Sequence, residues 1–132
     1  MSKIVSMSEA ASIAIHGIVL VARSAEPVNV VQIAEATGAS RHHVAKIMQR
    51  LAKNGYLSSL RGPAGGFSMK ANPSEISLLE VFEAIEGKIE ITKCPLDKPI
   101  CPFEKCLMDN VTNKMTTEFR EYMGKQTLAK YL

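Results

Sequence analysis

The chain has 132 residues, 46% hydrophobic and 22% charged, with a formal net charge of +3. That is the balance of one soluble globular domain, or a small domain with an appended arm, and a chain this long buries about two-thirds of its extended surface. The start Met1-Ser2-Lys3-Ile4 lacks a signal-peptide pattern, and the apolar run from Ile13 to Ala22, broken by His16 and Gly17, is too short to span a membrane. No membrane association is therefore expected, and a cytoplasmic, reducing location is, which suits free thiols and disfavours disulfides.

Charge is unevenly placed. Residues 1–70 carry eight bases (Lys3, Arg23, Arg41, Lys46, Arg50, Lys53, Arg61, Lys70) and three acids (Glu9, Glu26, Glu35), a net +5. Residues 71–132 carry eight bases and ten acids, a net −2. A basic front half with a mildly acidic back half suits a nucleic-acid reader carrying a regulatory part.

In chain order, Asn29-Val30-Val31-Gln32 predicts a helix start, with Asn29 and Gln32 as a capping box. Val30, Ile33 and Ala34 supply its apolar face, and Gly38 ends it in a left-handed cap. Ser40 then caps a second helix from Arg41 to Asn54, stopped by Gly55. Its apolar residues Val44, Ile47, Met48 and Leu51 follow the i, i+3, i+4, i+7 spacing of a core-facing stripe. The opposite face shows Arg41, His42, Lys46, Gln49, Arg50 and Lys53. Two short helices joined by a glycine-containing turn, the second with a basic outer face, form a helix-turn-helix pattern, whose second helix enters the major groove. His42 and His43 read equally well as plain exposed helix residues.

Strand-like runs at 56–60 and 67–69 flank Arg61-Gly62-Pro63-Ala64-Gly65-Gly66, a hairpin placed as the wing of a winged helix. Arg61 at its shoulder suits a phosphate or a narrow minor groove, against the plainer reading of a surface ion pair. Gly65 and Gly66 let the wing backbone approach another surface closely, here expected to be DNA. Ser77-Leu78-Leu79-Glu80 is a second capping box, opening a helix closed by Gly87 that is expected to pack under the wing.

All three cysteines fall within thirteen residues, Cys94, Cys101 and Cys106. An odd number of clustered thiols makes a poor disulfide framework but a good metal-wrapping loop, since thiolates select iron–sulfur clusters, zinc or Cu(I). The Cys-x6-Cys-x4-Cys spacing is too long for paired zinc knuckles. A three-cysteine zinc site and a reactive thiol group remain as alternatives. From about Glu104 to Met123 a helical stripe returns (Leu107, Val111, Met115, Phe119, then Tyr122 or Met123), amphipathic and in need of a partner. A symmetric helix–helix dimer is expected there, with docking on its own domain as the alternative.

These residues together resemble the Rrf2 family of bacterial winged-helix regulators. The motifs that carry the resemblance are Pro27-Val28 to Ile33-Ala34-Glu35, Val44 to Leu51 with Gly55-Tyr56-Leu57, the wing Arg61-Gly62-Pro63-x-Gly65-Gly66-Phe67, Ile76-Ser77-Leu78 to Glu86-Gly87, the three cysteines, and Thr127-Leu128-Ala129. It implies a homodimeric transcription regulator, a repressor on a palindromic double-stranded operator, that in many members holds a 2Fe–2S or 4Fe–4S iron–sulfur cluster. The cysteine pattern is most similar to the nitric-oxide-responsive branch; other branches sense redox state, iron or iron–sulfur supply. Family members take a fourth cluster ligand from three places beyond the last cysteine, here Asp109, or from the first helix of the partner subunit. On that helix Ser12 stands where some members have a carboxylate, with Glu9 and His16 one turn to either side. His16 is accordingly the second candidate, although a histidine on an apolar helix is ordinarily packed in the core.

The expected architecture is mainly α with a small β-hairpin. Residues 1–87 form the winged-helix DNA-binding domain, 88–106 the cysteine-containing cluster loop, and 107–132 the dimerisation helix and tail. No nucleotide loop, catalytic triad or second cysteine set suggests an enzyme or an iron–sulfur electron carrier. The other reading within the class is a winged-helix regulator that uses its thiols as a redox switch or zinc site, without a cluster.

Overall fold

The computed structural model describes residues 1–92, 94 and 101–132. Five helices and one hairpin follow in order: α1 (Glu9–Arg23), α2 (Val30–Thr37), α3 (Arg41–Lys53), β1 (Leu57–Leu60), β2 (Gly66–Met69), α4 (Leu78–Glu86) and α5 (Val111–Lys125). Short 3-10 turns lie at Pro73–Glu75 and Leu128–Tyr131. The architecture is mainly α with a winged hairpin, as the periodicities predict.

Local chemistry sets these bounds. Ser8 caps α1 by accepting the Ala11 N–H at 3.1 Å. Both predicted capping boxes form: Asn29 with Gln32, and Ser77 with Glu80. Gly38 adopts the left-handed φ of 76° that ends α2. The hairpin is antiparallel, with Leu57 opposite Met69 and Leu60 opposite Gly66, and Phe67 bridges back to Val28 through hydrogen bonds of 2.8 and 2.9 Å. That extra rung fastens the wing to the segment entering α2.

One core runs through the described residues. Ile18 of α1, Ile33 of α2, Val44, Met48 and Leu51 of α3, Leu57 of β1, Val81 of α4 and Leu128 of the tail are all fully buried. The tail is pinned by backbone bonds from Leu78 N–H to Gln126 O (2.8 Å) and from Leu128 N–H to Ile76 O (3.0 Å). Helix α4 packs chiefly on α1, with α3 and α5 beside it, so the expectation that it lies under the wing is corrected. Its link to the wing base is the Tyr56 hydroxyl, which donates to Glu80 Oε2 at 3.4 Å. Partial burial, then the Glu80 charge, raises the Tyr56 phenol above its ordinary pKa.

A second correction concerns α5, which starts at Val111 and not near Glu104. Asp109 and Asn110 are both left-handed, with φ of 49° and 55°, a break no continuous helix tolerates. The described helices include none long and apolar enough to cross a membrane.

Candidate nucleic-acid interface and cysteine segment

Helix α3 presents two sharply different faces. Val44, Ile47, Met48 and Leu51 are buried, which leaves Arg41, His42, Lys46 and Gln49 exposed together on the opposite side. Ser40 holds the first turn by accepting the His43 N–H at 3.1 Å. His43 itself turns aside to Glu9 of α1, Nδ1 to Oε1 at 2.8 Å, a contact between residues far apart in sequence that no local pattern signals. Arg61 is exposed in the hairpin turn.

Three of the expected DNA contacts, Gly65, Gly66 and Arg50, meet atoms of this chain itself. A Cβ on Gly65 would lie 2.1 Å from the Leu60 carbonyl oxygen, and one on Gly66 (φ 144°) would lie 2.6 Å from the Val28 carbonyl. Packing within the chain is therefore enough to require glycine at both positions. Arg50 is directed at α4, its Nη2 donating to the carbonyls of Ala84 (3.3 Å) and Ile85 (3.1 Å).

Around the cysteine segment, Cys94 is half-buried while Cys101 and Cys106 are exposed, and all three are free thiols. Lys93 and residues 95–100 lie outside the described residues, so the loop's course between the first two cysteines does too. Among the described residues no three His, Cys, Asp or Glu side chains are assembled into a metal-holding group. The donor chemistry fits a thiolate-bound iron–sulfur cluster; the placement of the described donors is open, not closed around a centre. The approach to Cys94 is anchored at both ends. Ile89 N–H donates to Glu83 Oε2 at 2.7 Å, and Asn113 Nδ2 of α5 donates to the Thr92 carbonyl at 2.6 Å and to Asn110 Oδ1 at 3.1 Å. Asn113 is a buried polar residue, so its satisfied amide fixes this junction.

The two candidate fourth ligands differ. Asp109 Oδ2 is 2.8 Å from Lys114 Nζ, and the hydrogen bond and charge of Lys114 hold its carboxyl below the usual pKa. His16 is exposed on α1, not packed in the core. Its Nδ1 lies 2.7 Å from the Ser12 carbonyl. A carbonyl only accepts, so Nδ1 carries the proton and a neutral ring keeps its Nε2 lone pair free. His16 lines an open groove of about 720 Å³ together with Glu9, Ser12, Arg23 and Tyr131.

Much of the apolar stripe that runs from Leu107 into α5 is bare. Leu107 is 79% exposed, Val111 45%, Met115 36% and Tyr122 58%, while Phe119 packs edge-on against Phe82 (5.3 Å between centroids) and Met123 is buried.

The Rrf2 family model, described as an iron-dependent transcriptional regulator, matches residues 7–132. The HTH-type transcriptional regulator IscR of Escherichia coli O1:K1 is 29% identical over 106 residues, covering 80% of this chain and 65% of its own length. The chain thus spans somewhat under two-thirds of the curated relatives it matches. Among solved structures, CymR, the global cysteine regulator of B. subtilis, superposes with a TM-score of 0.75 at 19% identity, covering 96% of this chain and 95% of that one. IscR of T. potens gives a TM-score of 0.70 at 20% identity, over 95% and 84% of the two chains. At these identities the superpositions establish the fold. With a family match over almost its full length, the chain belongs to the Rrf2 family of transcriptional regulators.

Proposed function

We propose that this protein is a homodimeric DNA-binding transcription regulator, a repressor, whose operator affinity depends on an iron–sulfur cluster held by Cys94, Cys101 and Cys106. The observation that carries the reading is the division of α3: one face fully buried, the other offering Arg41, His42, Lys46 and Gln49 to solvent. A rigidly seated helix with basic and amide side chains outward suits the major groove, where arginine, lysine and glutamine read base edges and phosphates. The exposure of Arg61 in the hairpin turn supports a phosphate contact from the wing. The bare stripe Leu107, Val111, Met115 and Tyr122 supports pairing with a second copy, and a two-fold dimer matches a palindromic operator.

A cluster would supply a centre that reacts with nitric oxide, oxidant or iron scarcity. The chain's part is to supply thiolates and to fix the segment that bears them, through Glu83, Thr92 and Asn113. Of the two candidates for the remaining ligand position, His16 has the freer donor, its ring already oriented by the Ser12 carbonyl as metal-binding histidines commonly are. Asp109 is committed to Lys114.

The exposure of Cys101 and Cys106 favours one second reading, a thiol redox switch without metal. Anaerobic isolation separates the two. The cluster reading expects coloured protein with iron and sulfide, lost in Cys94→Ala, Cys101→Ala and Cys106→Ala. Protein that stays colourless through anaerobic reconstitution, or that takes up stoichiometric zinc, overturns it.

A further inference from the structure

Helix α4 ends badly on its own. Its last turn carries Glu83 and Glu86 and no basic residue, so two acids sit at the end where the helix dipole and the unpaired carbonyls are already negative. The missing cation comes from another helix. Arg50, in the last turn of α3, donates through Nη2 to Ala84 O at 3.3 Å and Ile85 O at 3.1 Å, a forked donor well suited to two adjacent carbonyls. The same end of α4 is where the chain departs for the cysteines. Gly87 turns it, Glu83 accepts the Ile89 N–H at 2.7 Å, and Asn113 of α5 clasps Thr92 at 2.6 Å, two residues before Cys94.

We propose that Arg50 is a positioning residue which ties the recognition helix to the end of α4, and so passes the state of the cysteine segment to the DNA-reading face. It does not serve as a phosphate contact. This inference rests on the proposed function above. A displacement of the Cys94 approach moves the Ile89–Thr92 stretch, which is bonded to the α4 terminus that Arg50 grips. Lys46 and Gln49, on the free face of α3, have no such tether among the described hydrogen bonds and read DNA directly.

The test uses the full chain and a duplex selected from a random-sequence pool. Affinity is measured against salt concentration for wild type, Arg50→Met, Arg50→Lys and Lys46→Ala, each with the cysteines intact under anaerobic conditions and with all three replaced by alanine. Met keeps the aliphatic stem and removes the donors; Lys keeps a charge and one donor group. Lys46→Ala is expected to weaken binding to every duplex and to flatten the slope of log affinity against log salt by about one unit. Arg50→Met should leave that slope at the wild-type value. It should shrink the affinity ratio between cysteine-intact and cysteine-free protein from a coupling of roughly 5–150-fold to about twofold or less. Arg50→Lys should recover part of that ratio. A slope flattened by about one unit in Arg50→Met, with the ratio unchanged, makes Arg50 a phosphate contact and overturns the proposal. A wild-type ratio of about one instead removes the regulatory reading itself, and the proposal with it.

Discussion

Helices α3 and α5 carry the same kind of amphipathic stripe and meet opposite fates. In α3, Val44, Ile47, Met48 and Leu51 are each no more than 3% exposed, whereas in and before α5, Leu107, Val111 and Met115 range from 79% to 36%. Both stripes obey helical spacing, but the first is wholly buried within its own chain, while the second is covered only at its C-terminal end, at Phe119 and Met123. Periodicity announces the need for a partner without saying whose surface supplies it. The α3 stripe is structural, and its burial frees the opposite face for recognition. The α5 stripe is left bare towards its N-terminal end, next to the cysteine segment.

The strongest way to break this contrast is to truncate one residue of each stripe. Leu51→Ala should destabilise folding by about 2–5 kcal/mol, as fully buried leucines do. Met115→Ala should change monomer stability by no more than about 0.5 kcal/mol, while Met115→Glu should shift the dimer towards monomer in sedimentation. Equal losses of folding stability would erase the distinction. Glycines sharpen it further. Gly66→Ala, with its Cβ driven onto the Val28 carbonyl at positive φ, should cost about 1–3 kcal/mol in thermal unfolding. Gly124→Ala in α5 meets only Leu79 Cδ2 at 3.5 Å and should gain about 0.4–1 kcal/mol. The smallest effect belongs to the exposed pair before α5. Lys114 holds the folded pKa of Asp109 down, so the pair stabilises above the unfolded carboxyl pKa and loses that contribution as pH falls through the folded value. Carboxyl titration by NMR should show the Asp109 pKa rising in Lys114→Met; an unchanged pKa would contradict the assignment.

Most of the winged body is legible in sequence because its signals are local. Asn29 with Gln32, Ser77 with Glu80, Gly38 and the α3 stripe each act within one or two turns. The hairpin too follows from its own glycines and flanking strands. What resists reading is set by contacts distant in sequence. Arg50 looks like one more base on an outer face until α4, 34 residues away, supplies its acceptors. His16 reads as a core histidine because its neighbours are apolar, yet the buried stripe of α1 passes beside it and leaves it on the groove with Ser12 and Arg23. The late start of α5 did have a signal, since Asp109-Asn110 is a pair of the residue types that most readily turn left-handed. The extended stripe from Leu107 masks it. For the candidate site, the residue types of the cysteine segment are legible, but their arrangement in space depends on the loop's path, which no local pattern sets.

In the proposed function, the cysteine segment controls how firmly the α3 face engages DNA. The most direct test of that control is the affinity of cluster-bearing and cluster-free protein for one selected duplex at one salt concentration, with the dimer verified in both. The account predicts a difference of roughly 5–150-fold, the usual scale of such coupling, and a shift of the same sign on exposure to nitric oxide or oxidant. Equal affinities from two intact dimers would contradict it.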